Sequence, residues 1–170
     1  DLTWKAGVDV LSFGGTKGGC FMAEAVILFS PEKREELAFR RKRAGLLVAK
    51  HRLIAAQFDA WLADDLWLGL ATRANAMADR LATGLAAHPD ARLPWMPQAN
   101  EVFVHLAVER AERLTARGAR FHDWSIAALD AEDRPRPGEG FYRLVTSFAT
   151  TEADVDAFLA ALDRKSTRLN

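Results

Sequence analysis

The chain has 170 residues, 49% of them hydrophobic and 27% charged, and its 23 acidic side chains balance 23 basic ones. That composition suits a globular protein with one substantial core or two small ones. It leaves no net electrostatic footprint for nucleic acid or an anionic membrane, so neither is expected as a partner.

Cys20 is the only cysteine, which excludes an intrachain disulfide and fits a reducing compartment. No apolar run approaches the ~20 residues that span a bilayer, and no signal peptide is visible. A cytoplasmic location is therefore expected.

Two short strands are predicted first, Val8 to Phe13 and Glu24 to Phe29, each rich in β-branched or aromatic residues. Between them lies Gly14-Gly15-Thr16-Lys17-Gly18-Gly19, where glycines flank one lysine. Such glycines let the backbone reach positive φ and approach a bound group closely. Ser30 then reads as a helix cap, with Pro31 at the first helical position and Glu32, Glu35 and Glu36 at the positive end. This helix runs through Leu37, Arg40 and Arg41 toward Gly45. Leu53, Ile54, Phe58, Trp61 and Leu62 fall near helical spacing and mark a second helix. A third, long helix starts at Asp64 or Asp65, with Leu66, Leu70, Met77, Leu81 and Leu85 on its apolar side. It stops near His88-Pro89, because the residue before a proline is pushed out of helical space.

Pro89, Pro94 and Pro97 punctuate the way into a second unit. Glu101 to Leu106 alternates as a strand, Val108 to Ala116 is helical and ends at Gly118, and Ala119 to Trp124 reads as another strand. Asp130 to Gly140 is a loop, Phe141 to Phe148 a strand, and Thr150 or Thr151 caps a closing helix to Leu162. With Thr151 as the cap, Asp154 occupies the capping-box position. The order strand–helix–strand–strand–helix predicts a small α/β unit with a mainly antiparallel sheet. Residues 164–170 follow that helix without continuing its apolar pattern, and read as a tail foreign to the fold or as a disordered terminus.

The glycine turn carries the clearest chemistry. A nucleotide-binding loop needs Gly-x-x-x-x-Gly-Lys-Ser/Thr, with a hydroxyl directly after the lysine. Here Thr16 precedes Lys17 and Gly18 follows it, so that spacing fails. Covalent catalysis through a lysine amine and a carbonyl remains open, as does a solvated surface lysine. The four histidines (His51, His88, His105, His122) are scattered, and none pairs with Cys20 or a carboxylate at metal-ligand spacing. No metal is expected. The run Arg40-Arg41-Lys42-Arg43 points in several directions around a helix, and nearby glutamates neutralise it. Arg143 sits among apolar strand residues and requires an anionic partner, either a bound carboxylate or a structural ion pair.

The segment from Asp9 through Gly14-Gly15-Thr16-Lys17-Gly18-Gly19-Cys20 and on through Ala23-Glu24-Ala25-Val26-Ile27-Leu28-Phe29 resembles the region around the cofactor lysine of threonine aldolases. These share the aspartate-aminotransferase fold (fold type I) of pyridoxal-phosphate enzymes with the aromatic amino-acid β-eliminating lyases. The family pattern is Ser-Phe-Gly-Gly-Thr-Lys-Asn-Gly; this chain departs at Gly18 and loses a side-chain amide that could fix the loop. Further blocks continue the resemblance in order. They are Phe39-Arg40-Arg41-Lys42-Arg43-Ala44-Gly45, Ala55-Ala56-Gln57, Ala74-Asn75-Ala76-Met77-Ala78, Asn100-Glu101-Val102-Phe103-Val104 and Arg143-Leu144-Val145-Thr146-Ser147-Phe148.

The resemblance implies an α/β fragment of that fold and the carboxyl-terminal half of a longer enzyme. Residues 1–88 would be part of the large-domain sheet with long helices, and residues 89–163 a small α/β domain. It implies pyridoxal 5'-phosphate as cofactor, bound covalently by Lys17, with Thr16 in the same turn and Lys50 or Arg52 reaching the phosphate. Arg143 would hold the α-carboxylate of a small-molecule amino-acid substrate. The activity implied is low-specificity cleavage of L-threonine or L-allo-threonine to glycine and acetaldehyde, in a homotetramer. Another β-eliminating lyase, or a non-catalytic scaffold derived from such an enzyme, are the alternatives. The cofactor-stacking group, the phosphate cup and the acid for the pyridine nitrogen are expected upstream of Lys17. The chain alone is therefore expected to be inactive.

Overall fold

The computed structural model describes residues 2–163; the expected tail at 164–170 lies outside the described residues. The chain packs as two compact units that divide between Leu70 and Ala71.

The first unit holds a two-stranded antiparallel sheet, β1 (Val10–Gly14) and β2 (Glu24–Leu28), with Val10 opposite Leu28 and Gly14 opposite Glu24. Pro31–Lys33 forms one 3-10 turn that leads into α1 (Arg34–Arg43). Ser30 stands at the cap position in extended conformation, but its side chain makes no capping bond, so proline's fixed φ starts this helix. At the other end Gly45 takes φ +73°, and Leu46 N–H and Gly45 N–H donate to the carbonyls of Arg41 and Lys42. This paired closure satisfies two otherwise free carbonyls. Within α1, Arg40 pairs with Glu36 one turn earlier at 2.6 Å.

α2 (His51–Leu62) follows, and α3 (Leu66–Ala86) begins in this unit. Asp64 or Asp65 was expected to start α3; both adopt left-handed φ, 52° and 57°, and turn the chain directly before its first residue, Leu66. Aspartate tolerates that region because its short polar side chain bonds locally. The core gathers Cys20, Ala23 and Trp61, with Phe13, Ile54, Phe58, Trp67 and Leu70 packed against them. Phe13 lies 5.3 Å from Trp61 and 5.7 Å from Trp67, ring centre to ring centre. Ile54, Phe58 and Trp61 form the inward stripe of α2, whereas Leu53 and Leu62 are exposed.

The second unit is a two-layer α/β sandwich. Its antiparallel sheet has the order β3-β4-β6-β5, from β3 (Ala91–Arg92), β4 (Glu101–Ala107), β5 (His122–Asp123) and β6 (Glu139–Val145). Strand alternation sends Val102, Val104, Leu106, Tyr142 and Leu144 toward the helices. There they meet Ala78, Leu81, Ala82 and Leu85 of α3, Ala111 and Leu114 of α4 (Val108–Ala116), and Val155 and Leu162 of α5 (Glu152–Asp163). The expected Leu81 and Leu85 share the buried face of α3 with Ala74, Ala78 and Ala82. The strand expected over Ala119 to Trp124 shortens to two residues, because β5 is an edge strand that meets β6 only at His122 and Asp123.

Two polar details lock the sandwich. Thr151 and Asp154 form a reciprocal box at the start of α5: each backbone N–H donates to the other's side chain, at 2.9 and 3.2 Å. Thr146, 3% exposed, donates its hydroxyl to the Ala74 carbonyl of α3 at 2.7 Å. Thr146→Val should cost about 1–3 kcal/mol, because the buried bond goes while the shape stays. Urea denaturation of the variant against the parent reads this directly.

Candidate active site

Lys17 lies between β1 and β2 at a tight turn, where Gly18 N–H donates to the Gly15 carbonyl at 2.9 Å and Cys20 N–H reaches the same carbonyl at 2.9 Å. The Lys17 side chain is exposed. Thr16 is spent on the loop itself: its hydroxyl oxygen accepts from Ala23 N–H at 3.1 Å and lies 3.3 Å from the Ala23 carbonyl.

Helix α2 holds the turn from outside with two side chains one helical turn apart. The Trp61 indole N–H donates to the Gly18 carbonyl at 2.9 Å. Gln57 accepts from Met22 N–H at 3.0 Å and donates to the Met22 carbonyl at 3.3 Å. The lysine loop is thereby tied to one rigid element at Gly18, directly after Lys17, and at Met22, near its end. Trp61 thus fixes the loop at the position where the sequence lacks an amide side chain.

Close approach explains the glycines better than positive φ does. Of the four around Lys17, only Gly19 has positive φ, at +134°. A Cβ on Gly18 would sit 2.6 Å from Cζ2 of Trp61, inside a buried aromatic cluster that cannot yield. Cys20, whose thiol pKa is raised by burial and then by the nearby Glu24 carboxylate, is a packing residue here. Arg52 lies exposed in the first turn of α2, and Lys50 just before it is exposed as well.

Arg143 belongs to the second unit, on the sheet face away from the helices. In β6 it stands opposite Phe103 of β4 and His122 of β5. Its guanidinium carbon lies 4.0 Å from the ring centre of Trp124, and its Nη1 donates to Glu101 at 3.1 Å. Trp95, Phe103, Phe141 and Trp124 continue an aromatic surface around it. Sequence reasoning singled out Lys17 and Arg143 but not Gln57, Trp61, Glu101 or Trp124. The alternation of Glu101 and Phe103, with Arg143 across the ladder, was the one readable signal among these.

His105 shares that face, 1% exposed and stacked 4.8 Å from Phe141, with neither ring nitrogen hydrogen-bonded. Burial and then the Arg92 guanidinium lower its pKa below 6.5, while Glu139 and Asp133 pull the other way. The unfolded chain therefore takes up this proton more readily than the folded one. Stability from this group is present above about pH 6.5 and is lost as pH falls toward the depressed folded value. Melting temperature should drop between pH 7 and 5, and His105→Phe should flatten that slope. Among the described residues, no three His, Cys, Asp or Glu side chains gather as a metal site, and no helix is long and apolar enough to cross a membrane.

No family model matches the chain. A serine palmitoyltransferase structure from Sphingomonas wittichii covers 93% of this chain and 39% of its own, at TM-score 0.60 and 17% identity, which shows the fold alone. The solved threonine aldolase of Leishmania major covers 91% of this chain and 42% of its own, at TM-score 0.74 and 29% identity. The architecture is thus a segment of the pyridoxal-phosphate-dependent fold type I. Among curated proteins, a low specificity L-threonine aldolase of Pseudomonas aeruginosa is 44% identical over 122 residues, 72% of this chain and 35% of that protein. Another, from a Pseudomonas species, is 36% identical over 155 residues, 91% of this chain and 41% of that protein. The chain is a partial-length relative of the threonine aldolases, spanning about two fifths of the length of the curated relatives it matches.

Proposed function

We propose that these residues form the lysine-bearing part of a pyridoxal-phosphate carbon–carbon lyase. Its substrate would be a β-hydroxy-α-amino acid such as L-threonine or L-allo-threonine, cleaved to glycine and acetaldehyde. One observation carries the reading: an exposed lysine amine on a turn that the buried side of α2 holds in place. Such an amine fits a carbonyl cofactor, because it is reachable while its backbone is fixed.

When bound, pyridoxal 5'-phosphate supplies an electron sink for the bond that breaks. Lys17 would attach it covalently, Thr16 would brace the turn beside it, and Arg52 would reach its phosphate. Arg143 would grip the substrate α-carboxylate and orient the amino acid. In this reading residues 1–88 serve the cofactor domain and residues 89–163 the small domain. The full-length protein would be a cytoplasmic homotetramer.

The partial coverage of its relatives supports a further expectation, that the 170 residues alone bind cofactor weakly and do not cleave threonine. Measurable acetaldehyde from the purified chain would contradict this. In a protein of the relatives' full length containing these residues, threonine should yield glycine and acetaldehyde. Release of ammonia from serine or aromatic amino acids, without acetaldehyde from threonine, would instead indicate a β-eliminating lyase.

A further inference from the structure

The Arg143 guanidinium is held flat but is not filled. Trp124 backs one face at 4.0 Å, and that stacking fixes the plane of the N–H fork. Only Nη1 has a hydrogen-bond partner among the described residues, a single Glu101 oxygen at 3.1 Å, and Nε is buried without one. A guanidinium bonds a carboxylate best through two parallel N–H···O contacts, and here an internal carboxylate uses one. The Arg143 and Glu101 side chains are 25% and 43% exposed, so Glu101 can swing into water.

Resting on the reading of Arg143 as the carboxylate holder, we propose that Glu101 is a built-in competitor. It occupies Arg143 in the empty protein and is displaced by a ligand carboxylate that takes the fork with both oxygens. Its chemistry is that of the ligand it yields to, so an incoming group must offer a better carboxylate contact than the one already there. Weakly bound or singly bonding anions are thereby rejected. The affinity of any true ligand is reduced by the fraction of molecules in which Glu101 holds the site. A partly exposed ion pair of this kind shifts such a balance by about two- to fivefold.

The test uses the full 170-residue chain labelled with nitrogen-15, following the indole N–H signal of Trp124, which stacks on Arg143 and is present in all three proteins, assigned by its loss in Trp124→Phe. Sodium acetate and L-threonine are titrated into the parent, Glu101→Gln and Arg143→Lys proteins. Glu101→Gln keeps shape and removes charge at a partly exposed position, and its melting curve confirms the fold. The expected result is saturable binding in the parent, about two- to fivefold tighter binding in Glu101→Gln, and none in Arg143→Lys. Binding in Glu101→Gln equal to or weaker than the parent, with Arg143→Lys still inactive in binding, would overturn the competitor role while leaving Arg143 as the carboxylate holder. Absence of any Arg143-dependent saturation in both parent and Glu101→Gln would overturn the Arg143 reading itself, and the competitor with it.

Discussion

Trp61→Ala should unfold the first unit's core more than any other single change. Trp61 is 6% exposed and packs against Phe13, Phe58 and Trp67, so truncation leaves a large cavity, a change that costs about 3–5 kcal/mol. It also removes the N–H that holds the Gly18 carbonyl. Trp61→Phe keeps an aromatic ring in the core but loses the hydrogen bond, worth about 1 kcal/mol, and part of the ring volume, so its loss should be the smaller of the two. Urea denaturation followed through the tryptophan fluorescence should show a large loss for alanine and a small one for phenylalanine. Equal losses would mean that packing does not fix the turn. The same geometry forbids a side chain at Gly18, because its Cβ would collide with Trp61.

Lys17→Ala should leave stability nearly unchanged, since the side chain is exposed and the turn is held through backbone groups and α2. In a full-length protein containing this segment it should lower threonine cleavage by at least ~10³-fold, the scale on which positioned catalytic groups act. The combination separates a reacting lysine from a structural one. A structural lysine would lower melting temperature and activity together. Steady-state assays with thermal melts on the same samples read both.

Much of the architecture was legible because its signals are local. The helix Val108–Ala116 ends where Gly118 takes φ +98°, and a glycine after a periodic run marks such a stop. Thr151 and Asp154 spell a capping box three residues apart. Lys17 stood out because glycines crowd around it, although at Gly18 the reason for the glycine is the wall of α2 rather than backbone freedom. The clamp was hidden because Trp61 lies 43 residues from Gly18 and Gln57 lies 35 from Met22, distances that only tertiary packing closes. β3 was missed because two residues carry no periodicity, and β5 was expected but drawn four residues too long. On α3 the buried Leu81 and Leu85 were legible, whereas Ala74, Ala78 and Ala82 complete that face with small residues that a search for large apolar side chains passes over. Arg143 was recognisable as needing an anion, but its neighbours Glu101 and Trp124 come together only through the ladder of β4, β6 and β5.

The central claim is that Lys17 is the residue to which the cofactor attaches, and borohydride trapping tests it most directly. A protein of the relatives' full length containing this segment is incubated with pyridoxal 5'-phosphate, reduced with borohydride and digested, and the modified peptide is sequenced by mass spectrometry. The reading predicts one dominant adduct on Lys17, absent from Lys17→Ala. Modification spread evenly over Lys5, Lys33, Lys42 and Lys50, or unchanged in Lys17→Ala, would contradict it.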